Sequence, residues 1–223
     1  NIFIYCSKKE LFFVILIYLD LGGILMANTR EGISDKGSRK CLQDYMKNDS
    51  KQLSDLIILS NQELLMIDNV DLYWKSPIAE LNFLEYRDNF LEPLGLMKFD
   101  NEIRQFWPAN GLQWDGLAVV TKNNKFYGIL LIEAKAHPEE AKNQYCKAQS
   151  NESINRIKTS LAFTRETLGI DNKFDDIWFN RHYQFANRLA FMVFLNRELK
   201  IPTWLVMVNF VNDFSLKPTD LKE

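Results

Sequence analysis

Between Trp114 and Ala136 the chain reads WDGLAVVTKNNKFYGILLIEAKA, and this stretch limits the fold more than any other. Two apolar runs, Leu117 to Val120 and Phe126 to Ile132, flank a polar Lys-Asn-Asn-Lys turn. That is the pattern of a β-hairpin whose strands are buried on both faces. Three charges sit where such a pattern should have none. Asp115 opens the first strand, and Glu133 and Lys135 close the second.

Side chains alternate along a strand, so Glu133 and Lys135 project from one face. Burying either alone costs about several kcal/mol, so a structural ion pair, or a strand end already in water, accounts for them as a pair. Asp115 adds a second carboxylate across the hairpin. If Asn123-Asn124 were a plain two-residue loop, Asp115 would face Ile132 and lie on the opposite side from Glu133. A three-residue loop or one bulge brings Asp115 opposite Glu133, and this register is the one expected. Two carboxylates so close repel unless a cation lies between them, and oxygen ligation suits magnesium or manganese. Lys135 would then face the bound water or a phosphate.

These residues resemble the PD-(D/E)XK nuclease superfamily, with its restriction-endonuclease-like fold. Asp115 matches the first acid of that motif, and Glu133, Ala134 and Lys135 match its Glu-x-Lys; the usual Pro before the Asp is Trp114 here. The similarity extends to a bacterial group within the superfamily through Gly37-Ser38-Arg39 with Leu42-Gln43, Ser76-Pro77, and Glu85-Tyr86-Arg87-Asp88. Phe106-Trp107-Pro108, Ala136-His137, Tyr183-Gln184 and Ala186-Asn187-Arg188-Leu189-Ala190 continue it, so it spans roughly Gly37 to Asp213. The resemblance implies an α/β fold with an αβββαβ core, its mixed central sheet flanked by helices. It also implies a Mg2+- or Mn2+-dependent phosphodiesterase acting on nucleic acid, DNA first. Asp115, Glu133 and the Ala134 carbonyl would hold the metal, Lys135 would serve the attacking water, and Gln184 and Arg188 would flank the phosphate. Two other readings stay open: a noncatalytic interaction protein that keeps the charge cluster for stability, and an enzyme acting on RNA.

Length and composition set the outer bounds. At 223 residues, 47% hydrophobic and 13% aromatic, the chain can bury a core and is expected to form one domain over 37–223. A net charge of −2 gives no global pull toward nucleic acid, so any binding must come from a local basic surface. Cys6, Cys41 and Cys146 are odd in number and widely spaced, which points to neither a disulfide framework nor a zinc site and fits a reduced, cytoplasmic setting. A homodimer is compatible with this, and no membrane partner is expected.

Residues 1–36 read as an N-terminal extension. Lys8-Lys9 followed by LFFVILIYL has the outline of a signal peptide, but Asp20 interrupts it and nine apolar residues are too few to span a bilayer. Met26 is the preferred natural start, with a signal peptide or a peripheral helix as alternatives. Further on, Leu42, Tyr45 and Met46, then Leu53, Leu56 and Ile57, suggest two short helices. Gly37-Ser38-Arg39 could hold a phosphate, although a surface helix start explains it more simply. Ser76-Pro77 reads as the start of a helix running to about Glu92, with Ile78, Leu81, Phe83 and Leu84 as its apolar face. Of the two acids on it, Glu85 rather than Glu80 would lend a carboxylate to the metal, against an even alternative of two solvated acids. An amphipathic helix is expected from Ser150 to Leu168 and a long helix from Ile177 to Leu199, buried all round between Leu189 and Leu195. Gln184 and Arg188 share a stripe with Phe191 and Leu195, and a buried Arg paired to a structural acid is as good an account of them as phosphate binding. Thr203 to Val211 should be a buried strand of the hairpin's sheet.

Overall fold

The computed structural model describes residues 2–7, 10–20, 33–141 and 144–211, with the side chains of 2–20, 139 and 141 left undescribed. In chain order the strands are β1 (Ile2–Ser7), β2 (Glu10–Asp20), β3 (Val70–Ser76), β4 (Gly116–Lys122), β5 (Lys125–Lys135) and β6 (Thr203–Val211). The helices of one turn or more are α1 (Gly37–Leu59), α2 (Gln62–Leu65), α3 (Asp100–Phe106), α4 (Asn151–Leu168), α5 (Asp175–Asn180) and α6 (Tyr183–Arg197). β3, β4 and β5 form an antiparallel meander, and β6 joins β5 in parallel after the α4–α6 crossover. This α/β core is a four-strand mixed sheet flanked by helices. The backbone of β2 continues it parallel to β6, with β1 antiparallel outside, so stretches that the sequence sets apart from the domain run along the sheet's edge.

Alternation along the strands sorts the core into two layers. Leu117, Ile129, Leu131 and Leu205 pack with Ile157, Leu161, Ala190 and Phe191 from α4 and α6. Ala118, Val120, Leu130, Ile132, Val206 and Val208 pack with Leu42, Leu53, Ile57 and Leu64 from α1 and α2. Both faces are therefore dry along residues 128–132 of β5 and nearly so along residues 117–120 of β4, which is why these two runs are apolar without interruption. Asp115, Glu133 and Lys135 share the parity of Leu117 and Leu131, so they belong to the face that α6 covers.

The hairpin register is the expected one. Asn123 and Asn124, at φ 52° and 62°, form a two-residue turn between Lys122 and Lys125, a left-handed pair that asparagine tolerates better than most residues. A bulge then shifts the ladder: Thr121 pairs with Phe126, but Val120 pairs with Gly128. From there Gly116 faces Ile132, and one further step sets Asp115 opposite Glu133. Gly116 is tight, since a Cβ there would stand 3.1 Å from the Ser76 carbonyl oxygen.

Two expected helices are corrected. No helix starts at Ser76-Pro77: Ser76 ends β3, and the chain makes one 3₁₀ turn over Ala79–Leu81 before Asn82 and Phe83 adopt positive φ of 51° and 53°. The Ser76 hydroxyl donates to the Leu84 carbonyl at 2.7 Å and closes the loop. Tyr86 then returns to the sheet edge as a bridge to Trp114. Phe83 is buried while Leu81 and Leu84 are 46% and 49% exposed, so the apparent apolar face is not one surface. The helix expected over Ile177 to Leu199 is two helices. Arg181 and His182 both donate their N–H to Ile177, and Tyr183 donates to Gln144, whose strand-like segment wedges in at the break. α6 beyond it is buried from Ala186 to Val193, as its composition requires. The two short N-terminal helices are present as the halves of α1, kinked at Asp49, whose carboxylate accepts from the Gln52 N–H at 3.1 Å. α4 follows its expected bounds, with Ser150 capping Ser153 N–H at 3.1 Å.

Candidate active site

The charges that the hairpin ends on are collected under α6. Glu133 is 1% exposed in its side chain and Arg188 6%. Arg188 Nε donates to Glu133 Oε2 at 2.6 Å, its Nη1 donates to Asn187 Oδ1 at 2.9 Å, and its Nη2 donates to the Gln113 carbonyl at 2.8 Å. The guanidinium also lies 5.6 Å from the centre of the buried Trp114 ring. Lys135 Nζ donates to the other Glu133 oxygen, Oε1. One carboxylate is thus held between two cations in a dry interior, each of its oxygens taken by a different donor.

Asp115 has a different environment. Its Oδ2 accepts the Ala134 N–H at 2.7 Å, tying the start of β4 to the end of β5. Burial, and next the charge of Glu133, push its carboxyl up to about 7, against the opposing pull of Lys135, the Ala134 N–H and Arg188. The structure therefore brings Asp115, Glu133, Lys135 and Arg188 into one cluster, with Ala134 buried in the strand between the second and third. Gln184 lies one turn before Arg188 on α6, and its buried Oε1 has no hydrogen-bond partner among the described residues.

Glu85 approaches from the loop before the Tyr86–Trp114 bridge, not from a helix. Its carboxylate accepts Arg39 Nε at 2.7 Å and Gln113 Nε2 at 2.6 Å. Burial raises it above the usual carboxylate range, Arg39 and Gln113 oppose this, and the charge of Glu133 adds a smaller upward push. Glu80, the other acid of that segment, is exposed. Gln113 is the residue that sequence reasoning missed. Its side chain bridges Glu85 and Arg87, and its carbonyl receives Arg188. The signal was available, because Gln113 lies two positions before Asp115, on the same side of the chain if the strand is extended back.

The basic side chains of α4 do not form a free surface. Arg156 bonds Glu152 and the Arg104 carbonyl, Arg165 bonds Asp175 and the Ile170 carbonyl, and Lys158 lies over the Phe179 ring. Among the described residues no group of three or more His, Cys, Asp or Glu is arranged to hold a metal ion, and no helix is long and apolar enough to cross a membrane. No family model matches the chain, no curated protein matches it, and no solved structure does.

Proposed function

We propose that the protein is a metal-dependent nuclease, hydrolysing phosphodiester bonds, DNA first, with the Asp115, Glu133 and Lys135 cluster as its active site. The observation that carries this reading is the pair of carboxylates set side by side by a single bulge, one of them raised to about 7 by burial and by the other's charge. The order α1, β3, β4, β5, helices, β6 is also compatible with a restriction-endonuclease-like αβββαβ core.

The donors fit a hard dication such as Mg2+ or Mn2+. Both are carboxylate oxygens, and the burial and the repulsion from Glu133 that raise Asp115 are costs that a cation offsets. Asp115 and Glu133, with the Ala134 carbonyl, would hold it, while Glu85 would act from behind through Gln113. The metal would supply Lewis-acid polarisation of the phosphate and a more acidic water. Lys135, released from Glu133 Oε1, would orient or deprotonate that water, and Arg188 would stay on Glu133 and hold the carboxylate in place. Gln184, with an unsatisfied oxygen, would accept a hydrogen bond from water at the site.

A second reading rests on the closed Lys135–Glu133–Arg188 triad, which satisfies every charge without a ligand and suits a noncatalytic interaction protein. Calorimetry of Mg2+ and Mn2+ binding to the wild type and to Asp115→Asn, with cleavage of single- and double-stranded DNA and RNA alongside, separates the two. The nuclease reading expects binding in the micromolar to millimolar range and metal-dependent cleavage, both lost in a variant that still folds. No binding in either protein, with or without a duplex, sinks it.

A further inference from the structure

The turn end of the hairpin carries a cavity, about 510 Å3 in volume, that the proposed active site does not use. Tyr127 lies six positions before Glu133 on β5, roughly 20 Å of extended chain. The bulge that sets the carboxylate register also builds this cavity. It leaves Gly128 where a Cβ would stand 2.3 Å from the Pro202 carbonyl oxygen and 2.8 Å from the Trp204 ring, so the start of β6 can close against the hairpin. Trp204 then stacks on Tyr127, with centroids 6.2 Å apart and planes 22° apart. Tyr127 is 38% exposed.

The polar groups around this aromatic wall are of three kinds. Glu63 Oε2 accepts the Trp204 indole N–H at 3.2 Å, and its Oε1 has no partner among the described residues. Burial raises the Glu63 carboxyl above its usual range, with the Trp204 bond opposing. Lys200, at φ 56° and without a partner among the described residues, lines the cavity beside Lys122, whose contact with Asp68 is a loose, exposed 3.5 Å. The Asn196 side chain, saturated by the Met192 carbonyl and both main-chain groups of Thr203, is a fixed part of the wall.

We propose that this cavity binds a guanine nucleotide, with the base on the exposed Tyr127 ring, which the buried Trp204 backs, its N–H edge on Glu63 and its phosphate at Lys200 and Lys122. A flat aromatic face selects a flat ring without regard to sequence. A carboxylate can only accept, and guanine pairs a ring N–H with an adjacent amino group, two donors in line with its two oxygens. Adenine and cytosine present a lone pair beside their amino group and would meet repulsion at one oxygen. The two lysines supply the positive charge that a phosphate needs. The volume lies within the roughly 300–1,000 Å3 of small-molecule sites. None of this depends on the nuclease reading.

The test is calorimetry on the full chain with GMP, AMP and guanosine, in EDTA so that no metal takes part. GMP is expected to saturate at submillimolar concentration, with AMP weaker by about tenfold or more. Glu63→Gln keeps an acceptor for Trp204 but removes the charge, and should cost GMP about tenfold; Lys200→Ala should bring GMP down to the level of guanosine. Tyr127→Ala, at a partly exposed position, should weaken all three ligands and serves if Glu63→Gln does not fold. The proposal is overturned by an absence of saturable GMP binding up to about 10 mM, by equal affinity for AMP, or by a folded Glu63→Gln or Tyr127→Ala that binds GMP like the wild type.

Discussion

The two ends of one hairpin solve opposite problems. At the Asp115–Glu133 end the strands bring charges into the dry space under α6, and each is held by a named partner: Glu133 by Lys135 and Arg188, Asp115 by the Ala134 N–H. At the Asn123–Asn124 end there is no buried ion pair among the described side chains, and packing is governed by a bulge, a missing Cβ and a stacked aromatic pair. The first end is fixed by electrostatics, whose cost rises steeply when one partner is lost. The second is fixed by shape, whose cost depends on how far neighbours can give. A single inserted residue serves both, since removing the bulge would turn Asp115 away from Glu133 and pull Gly128 out from under Pro202.

The sharpest way to break the comparison is to delete one charge from the first end. Arg188→Ala leaves Glu133 buried against Lys135 alone and the Gln113 carbonyl without its donor. A loss of about 3–5 kcal/mol is expected from urea unfolding at neutral pH. Arg188→Met combined with Glu133→Leu should recover much of it, because an apolar pair of similar volume avoids the desolvation cost. If the single variant loses less than about 1 kcal/mol, the cluster is open to water and the contrast between the ends disappears.

Asp115 makes the pH dependence specific. Its carboxyl ionises near 7 in the folded chain against 3.8 as the ordinary value, so the folded state holds the proton more tightly. Its contribution to stability is complete below about 4 and is lost as pH rises through about 7. Unfolding free energy followed from pH 4 to pH 8 should therefore fall across this window in the wild type, and the slope should flatten in Asp115→Asn. Saturating Mg2+ should move the midpoint downward if the carboxylate pair holds the ion, and cleavage activity should rise with pH over the same range. A wild-type profile flat between 4 and 7 would remove the second carboxylate from the dry cluster.

Much of this contrast could be read in the sequence wherever the pattern was local. Charges at the parity of Leu117 and Leu131 gave the face and the register, because alternation along a strand is rigid. The Thr203–Val211 strand was legible from its apolar run. Val70–Ser76 was not found, although Val70, Leu72 and Trp74 alternate with Asp71, Tyr73 and Lys75; as an edge strand it has a polar side that resembles a loop. The misread helix after Ser76-Pro77 had helical spacing and a proline in the right place, but Asn82 and Phe83 take left-handed backbone to bury Phe83, a choice made by tertiary packing. The break before α6 depends on Gln144 arriving from a distant segment. Within the site, the partnership of Arg188 with Glu133 was one of two open alternatives, since the sequence supplies the buried arginine without saying which acid crosses to it. Gln113 could be placed only through its parity with Asp115, and the contact its carbonyl makes with Arg188 is one that no side-chain pattern announces.

At the shape-governed end, Gly128→Ala is the next largest effect. A methyl group 2.3 Å from a main-chain oxygen cannot be absorbed by rotating a side chain, so β6 must shift, at a cost of about 1–3 kcal/mol. Gly116→Ala at the other end meets Ser76 oxygen at 3.1 Å and Ile132 Cβ at 3.2 Å, which a displacement of a few tenths of an ångström relieves, and should cost less. Thermal unfolding of the two variants side by side gives the order. A larger loss at Gly116 would mean that the carboxylate end tolerates steric change worse than the turn, and that shape rather than charge holds it.

The smallest effect has the opposite sign. Asn123 and Asn124 both hold left-handed backbone in the two-residue turn, and Asn-Gly is the pair best suited to such a turn. Asn124→Gly removes the Cβ strain at φ 62° but enlarges the freedom of the unfolded chain, so the two contributions partly cancel. A gain of about 0.5 kcal/mol is expected in urea unfolding, through relief of strain in the folded turn. Because the turn sits above the bulge, it should leave the Asp115 register untouched, and the pH profile of the variant should overlay that of the wild type. A shifted profile would show that the turn and the bulge exchange strain, so that the charged end is set by the whole hairpin rather than by the inserted residue.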